Sequence, residues 1–128
     1  MSFSNDFETR SLQWVFTAGS PVRPTAWYLA LYTVAPSDTG GGTEVSASGT
    51  AYAREAVTFT VSGNTATNSA ALEYATATAT FGTVVAVGVF DASTSGNLIA
   101  YASLAANKTI DTGDILRIPA GDLDVTLD

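Results

Sequence analysis

From residue 25 onward, apolar side chains recur at every second position, and clusters of Gly, Asn, Asp and Ser interrupt the pattern about every 8–12 residues. A period of two sends alternate side chains to opposite faces of an extended strand. Turns this frequent leave no room for crossover helices, so the strands must pair antiparallel. The pattern predicts a mainly β fold: an antiparallel β-sandwich or partly closed barrel of about eight short strands, preceded by one N-terminal α-helix. The expected organisation is a single domain over 1–128, with residues 1–20 as a helical arm and 25–128 as the sandwich.

The strands differ in how strongly they mark themselves. Residues 25–34 (TAWYLALYTV) put Trp27, Leu29 and Leu31 on one face and Tyr28, Ala30 and Tyr32 on the other. Both faces are apolar, which predicts a central strand covered on both sides. Residues 52–61 place Val57, Phe59 and Val61 together, and Ser62-Gly63-Asn64 then marks a hairpin turn into a Thr/Ala-rich return strand. Residues 83–91 (TVVAVGVFD) are apolar enough for the middle of the core, with Gly88 marking a bulge or a close backbone approach. The turn at 91–97 leads back into 98–104, while Asn107-Lys108 and Asp111–Asp114 are expected to bracket a short strand around Ile110. Residues 114–119 and 122–128 complete the sheets, with Leu123, Val125 and Leu127 inward. Between the first two strands, 35–50 reads as a long loop, and Gly40–Gly42 suggest mobility or ordering by a partner.

The helix is expected over 4–18 (SNDFETRSLQWVFTA). Asn5 followed by Glu8 reads as a capping box, Asp6 and Glu8 suit the positive end of the helix dipole, and Gly19, Pro21 and Pro24 end it. Phe7, Trp14, Val15 and Ala18 share one face, widened by Leu12 and Phe16. Such a stripe either closes one end of the sheet core, the favoured reading, or docks on a neighbouring subunit with Phe3 as an extra anchor. On the docking reading the candidate subunit or capsid contacts are Phe3, Phe7, Trp14 and Phe16.

Composition removes most functional classes. The chain has no Cys and no His, which excludes disulfides, thiol nucleophiles, imidazole acid–base chemistry and zinc sites with nitrogen or sulfur ligands. Charged residues are only 13%, against roughly 25% in an average soluble protein, and the net charge is −7. The five basic residues are scattered, so no footprint for a phosphate backbone exists and no nucleic-acid partner is expected. No apolar run approaches the length of a membrane span, and the polar residues after Met1 do not resemble a secretory leader, so no membrane partner is expected either.

The remaining routes to chemistry are weak. Asp111 with Asp114, or Asp122 with Asp124, has the residue types of an acid–base pair, but each sits where Asp commonly forms a turn or a solvated face. Lys108 is the sole lysine available to activate a serine, and it reads as an exposed charge. The stretch 91–102 has oxygen side chains at alternate positions and Gly96 in sixth place, like a calcium loop, but Ala102 stands where the bidentate Glu is needed. Gly40–Gly42 lacks the Lys and helix of a phosphate loop, and Asn107-Lys108-Thr109 matches the glycosylation pattern only at chance level. The expectation is a chain without catalytic, cofactor or metal residues. Trp27, Tyr28 and Tyr32 have rings that stack on sugars, yet alternate faces argue against one platform.

Several motifs occur in a fixed order: TAWYLALYT, PSDTGGGTEVS, YAREAVTF, NSA, FGTVVAVGVFDASTSGNLIAYASL and KTIDTGDILRIPAGDLDVTLD. In these the chain resembles a family of short tailed-phage proteins commonly labelled tail fibre or minor virion structural proteins. The resemblance spans nearly the whole chain. It implies a place in the virion and supplies no catalytic residues. The lack of a shaft or repeat, together with the acidity, favours a capsid decoration (cement) protein on the outer lattice, bound to the major capsid protein or other virion proteins and itself oligomeric, with a trimer favoured. The alternative is a tail fibre or tail-tip module that binds a host-surface glycan through Trp27.

Overall fold

The computed structural model describes residues 1–127. The chain opens with β1 (Ser2–Phe3) and α1 (Asn5–Phe16), and then runs through β2 (Tyr28–Val34), β3 (Thr43–Glu44) and β4 (Glu55–Ala56). There follow β5 (Phe59–Ser62), β6 (Thr65–Asn68), β7 (Leu72–Glu73), β8 (Gly82–Phe90), β9 (Leu98–Ile110), β10 (Arg117–Ile118) and β11 (Asp124–Thr126). All pairings are antiparallel. A six-stranded sheet has the order β1-β9-β8-β2-β3, with β4 also on β2; β10-β7 and β11-β6-β5 form two small sheets. The fold is mainly β with one N-terminal helix, open rather than closed into a barrel. Eleven strands stand where about eight are expected: the regions around 52–61 and 65–75 each break into two short pieces, β1 and β3 are additional, and 98–104 joins the strand around Ile110 into β9.

β2 and β8 form the middle of the large sheet, in register from Tyr28↔Phe90 to Tyr32↔Ala86. Their alternation divides the core. Leu29, Leu31, Val87 and Val89 face the small sheets, which contribute Leu72 and partly buried Phe59, Ile118 and Val125, and they pack with the rings of Tyr52, Tyr74 and Phe81 from the connecting segments. Tyr52 lies parallel to Tyr74 at 6.1 Å and edge-on to Phe81 at 5.7 Å. The opposite face carries Ala30, Ala86 and Gly88 beneath Tyr32, Phe90 and Leu98. Gly88 is a close approach, not a bulge: a Cβ there would meet Leu98 Cδ1 at 2.9 Å and Tyr32 Cε2 at 3.0 Å. The register breaks lie elsewhere, at Val84/Ala86 and Val89/Phe90.

Polar groups in this core are paired. The Tyr74 hydroxyl donates to Leu29 O at 2.7 Å, and the Tyr52 hydroxyl accepts from Leu31 N–H at 3.0 Å while donating to Glu44 at 2.8 Å. Burial raises both phenols above the ordinary tyrosine range. Buried Asn68 holds the 119–123 turn: its amide donates to Ala70 O and Pro119 O, and its oxygen accepts from Gly121 and Leu123 N–H.

Several local expectations change. Asn107 and Lys108 do not turn; β9 runs on to Ile110, with Lys108 opposite Val84, Ser103 opposite Ala86, and the residues between them forming a wide bulge. The 35–50 loop is partly built, through a Ser37–Gly40 bridge and β3. Gly63, with φ 60°, opens the β5–β6 hairpin as expected, suiting the first position of a type II′ turn. Leu127, expected inward, is 61% exposed, and Val61, expected on one face with Val57 and Phe59, is 74% exposed.

Candidate assembly surface

The arm is pinned at its base. Ser4, not Asn5, is the N-cap: its Oγ accepts from Phe7 N–H at 3.3 Å and donates to Leu98 O at 2.5 Å. Ser4 takes the cap because its hydroxyl also pairs the Leu98 carbonyl, a contact that a one-dimensional pattern does not contain. The expected Asn5–Glu8 box does not form: Asn5 is already the first helical residue, and the position three after the cap is Phe7. Ser4 N–H donates to Ile99 O at 2.8 Å and Asn5 N–H to Asp38 O at 2.9 Å. The Tyr101 hydroxyl donates to Asp38, which raises the phenol's pKa. Phe3 and Phe7 stack at 4.8 Å and lie partly buried against the main core.

Beyond this base the helix leaves the body. None of its residues is buried, and Trp14 and Phe16 are 71% and 77% exposed. Leu12 and Val15 are exposed too, so the last turns are apolar on more than one side. An all-round apolar helix is normally a buried one. The reading of the stripe as a lid on the sheet thus holds for Phe7 alone. Of the four candidate contacts, Phe3 and Phe7 form the internal foot of the arm, while Trp14 and Phe16 stand at its free end. The helix stops at Thr17, whose Oγ1 donates to Gln13 O at 2.6 Å, two residues ahead of Gly19.

Next to the arm, one end of the main core is open. A cleft of about 430 Å³ runs between Val89 and Ile99 of the large sheet and Phe59, Val61 and Val125 of the small one, with Phe3, Trp27 and Leu127 at its walls. Among the described residues, the charged one in its lining is Arg23. A second groove, between Trp14 and Phe7 of the helix and Pro21, Val22 and Pro24, shares Arg23 with the cleft as a lining residue. Trp27 takes part in this cleft, whereas Tyr32 is buried on the other face of β2 and Tyr28 is half-buried. The three rings do not form a single platform for a sugar.

A node that sequence reading missed lies on that other face. Arg54 binds Glu44 through Nη2 (2.8 Å) and Nε (3.0 Å), donates from Nη1 to Ala92 O (3.0 Å) and Ser95 O (2.7 Å), and lies over the Phe90 ring at 3.7 Å. Burial would lower the Arg54 pKa, and the Glu44 carboxylate more than offsets it. This ties β3, the segment leading into β4 and the 91–97 turn together, a structural role.

The carboxylates with the residue types for catalysis serve turns and ladders. Asp111 N–H donates to Asp114 Oδ2, and Asp124 accepts from Thr67 Oγ1. In the calcium-like stretch, Asp91 accepts from Asn97 N–H at 2.7 Å and from its side-chain amide at 2.8 Å. Burial raises the Asp91 pKa, but these bonds outweigh it and hold the carboxyl below its usual range. Among the described residues, no group of three or more acidic, His or Cys side chains is placed to hold a metal, and no helix is long and apolar enough to cross a membrane.

The model of the family described as podophage GP4 fiber I protein gp80 matches residues 2–126. The chain belongs to that family. No curated protein matches it. Membership of the gp80 family makes this a phage structural protein, as the ordered motifs imply, and the match takes in both the arm and the open cleft.

Proposed function

We propose that the protein is a non-enzymatic packing module of the fibre apparatus, held in the particle by the exposed apolar end of α1. The observation that carries this is Trp14 and Phe16 standing out from a pinned helix, a state that a soluble monomer has no reason to maintain. The family description supports a fibre position over the capsid shell. The decoration reading draws on a different observation, the net charge of −7, which suits an outer surface away from packaged DNA. Neighbouring virion proteins are the partners on either reading, with the major capsid protein among them on the second.

The test is incorporation. Phage carrying the Trp14→Ala/Phe16→Ala protein should assemble particles depleted of it, measured by quantitative mass spectrometry of purified virions. Equal incorporation of the variant would overturn the role of the helix. Electron microscopy with labelled protein should show density on the tail fibres; density on the shell would move the protein to the decoration role.

A further inference from the structure

The two halves of the apolar surface are complementary, and neither is filled within one molecule. We infer that the cleft at the open end of the core receives the Trp14–Phe16 end of α1 from a second copy of this chain. The inference rests on the reading of that helix end as an assembly contact.

The occupant cannot be the molecule's own helix. Trp14 and Phe16 are not among the residues lining the cleft, and Phe3, which lines it, stacks on the base of that same helix. The hydrogen bonds of Ser4 and Asn5 to Ile99 and Asp38 fix the base further. Size fits: about 430 Å³ falls within the roughly 300–1,000 Å³ of cavities that enclose compact apolar groups. Charge fits as well. The last turn of α1 has no basic residue, so its carbonyls carry the negative end of the helix dipole uncompensated. Arg23, in the cleft's lining, makes no ion pair among the described residues and would meet that end with the opposite sign.

The area is of the right order. Leu12, Trp14, Val15, Phe16 and Val22 expose on the order of 600 Å² together, taking about 150–250 Å² for a whole aromatic side chain and less for an aliphatic one. A standard interface takes about 800 Å² from each partner. Donor and acceptor are different patches, so the contact is heterologous and closes into a ring, such as a trimer, if the rotation permits.

The experiment uses the purified full chain. Sedimentation should show an oligomer whose dissociation constant rises at least about thirtyfold in Trp14→Ala, the loss expected of a buried aromatic anchor. Val61→Asp, on the exposed rim of the cleft, should produce the same loss from the other side. Both positions are solvent-exposed in one copy, so each variant should keep the wild-type circular dichroism and melt cooperatively at a temperature independent of protein concentration, below the concentration-dependent midpoint of the wild-type oligomer. Mixing the two monomeric variants should restore a one-to-one pair, since each retains the half that the other lacks. A wild-type chain that stays monomeric, an oligomer that survives both substitutions, or a mixture that fails to pair would overturn the inference. A monomeric wild type whose incorporation into virions still depends on Trp14 would remove the second copy as occupant and leave the assembly role of the helix standing.

Discussion

Arg54→Ala should be among the most damaging single changes outside the apolar core. It removes a two-point ion pair with Glu44, two hydrogen bonds to the carbonyls of the 91–97 turn, and the guanidinium over Phe90. The Arg54 side chain is 8% exposed and that of Glu44 27%, so the abandoned carboxylate stays largely out of water with only the Tyr52 hydroxyl left to it. Breaking a buried pair from one side costs about 3–5 kcal/mol, and this largely buried one should lie in the lower half of that range, with the lost carbonyl bonds and ring contact partly included. Unfolding entropy of about 2.1 cal/mol/K per residue makes this a fall of roughly 10–15 °C in the thermal midpoint. Calorimetry of Arg54→Ala, Glu44→Gln and the double variant checks it. The double should be less destabilised than the two singles together, because the second change removes the orphaned charge. A fall of under about 3 °C in Arg54→Ala, or strict additivity, would refute the node. Arg54→Lys should recover little, since an ammonium cannot span Glu44 and both carbonyls.

Asn68→Asp should destabilise by about 2–4 kcal/mol, because a carboxylate cannot donate to Ala70 O and Pro119 O; chemical denaturation measures it. Gly88→Ala should cost about 1–3 kcal/mol by overpacking against Leu98 and Tyr32, and the cost should shrink in a Leu98→Ala background. Tyr52 and Tyr74 have folded-state pKa values raised by burial, so their contribution is fully present below the unfolded value near 10 and is lost as pH rises above it. Ultraviolet titration should therefore show these phenols ionising only together with loss of circular dichroism. Asp91, held low by Asn97, has the opposite sign: its contribution is present above the ordinary carboxyl value and fades as pH falls through the folded one, so Asp91→Asn should flatten the acid side of the stability profile.

The elements with a clean period were legible beforehand. β2 and β8 announce themselves through two-sided apolar alternation, and the β5–β6 hairpin through Gly63-Asn64. β9 was cut short because Asn107 and Lys108 look like a turn, whereas an exposed strand extension tolerates polar residues as long as its backbone pairs. Leu127 reads as inward on apolarity alone, and Val61 as sharing a face with Val57 and Phe59; among the described residues nothing fills the space beside them, and that leaves the cleft open. The helix stripe was visible, but its division into a buried foot and a free end depends on where Phe3 lands. The Arg54 node brings together residues from 44 to 95, and no local pattern encodes it.

The large sheet ends in a two-residue strand on either side, β1 and β3. β1 covers β9 only at Ala100 and Tyr101, and further along that outer edge β9 is interrupted by the irregular 104–107 stretch and carries Lys108, devices by which β proteins discourage zipping into amyloid-like stacks. In a particle, where copies of a structural protein are held at very high local concentration, that protection matters more than it does in dilute solution. It leaves growth of the assembly to side-chain fit, which is finite and selective, and denies it to main-chain templating, which has no natural stop.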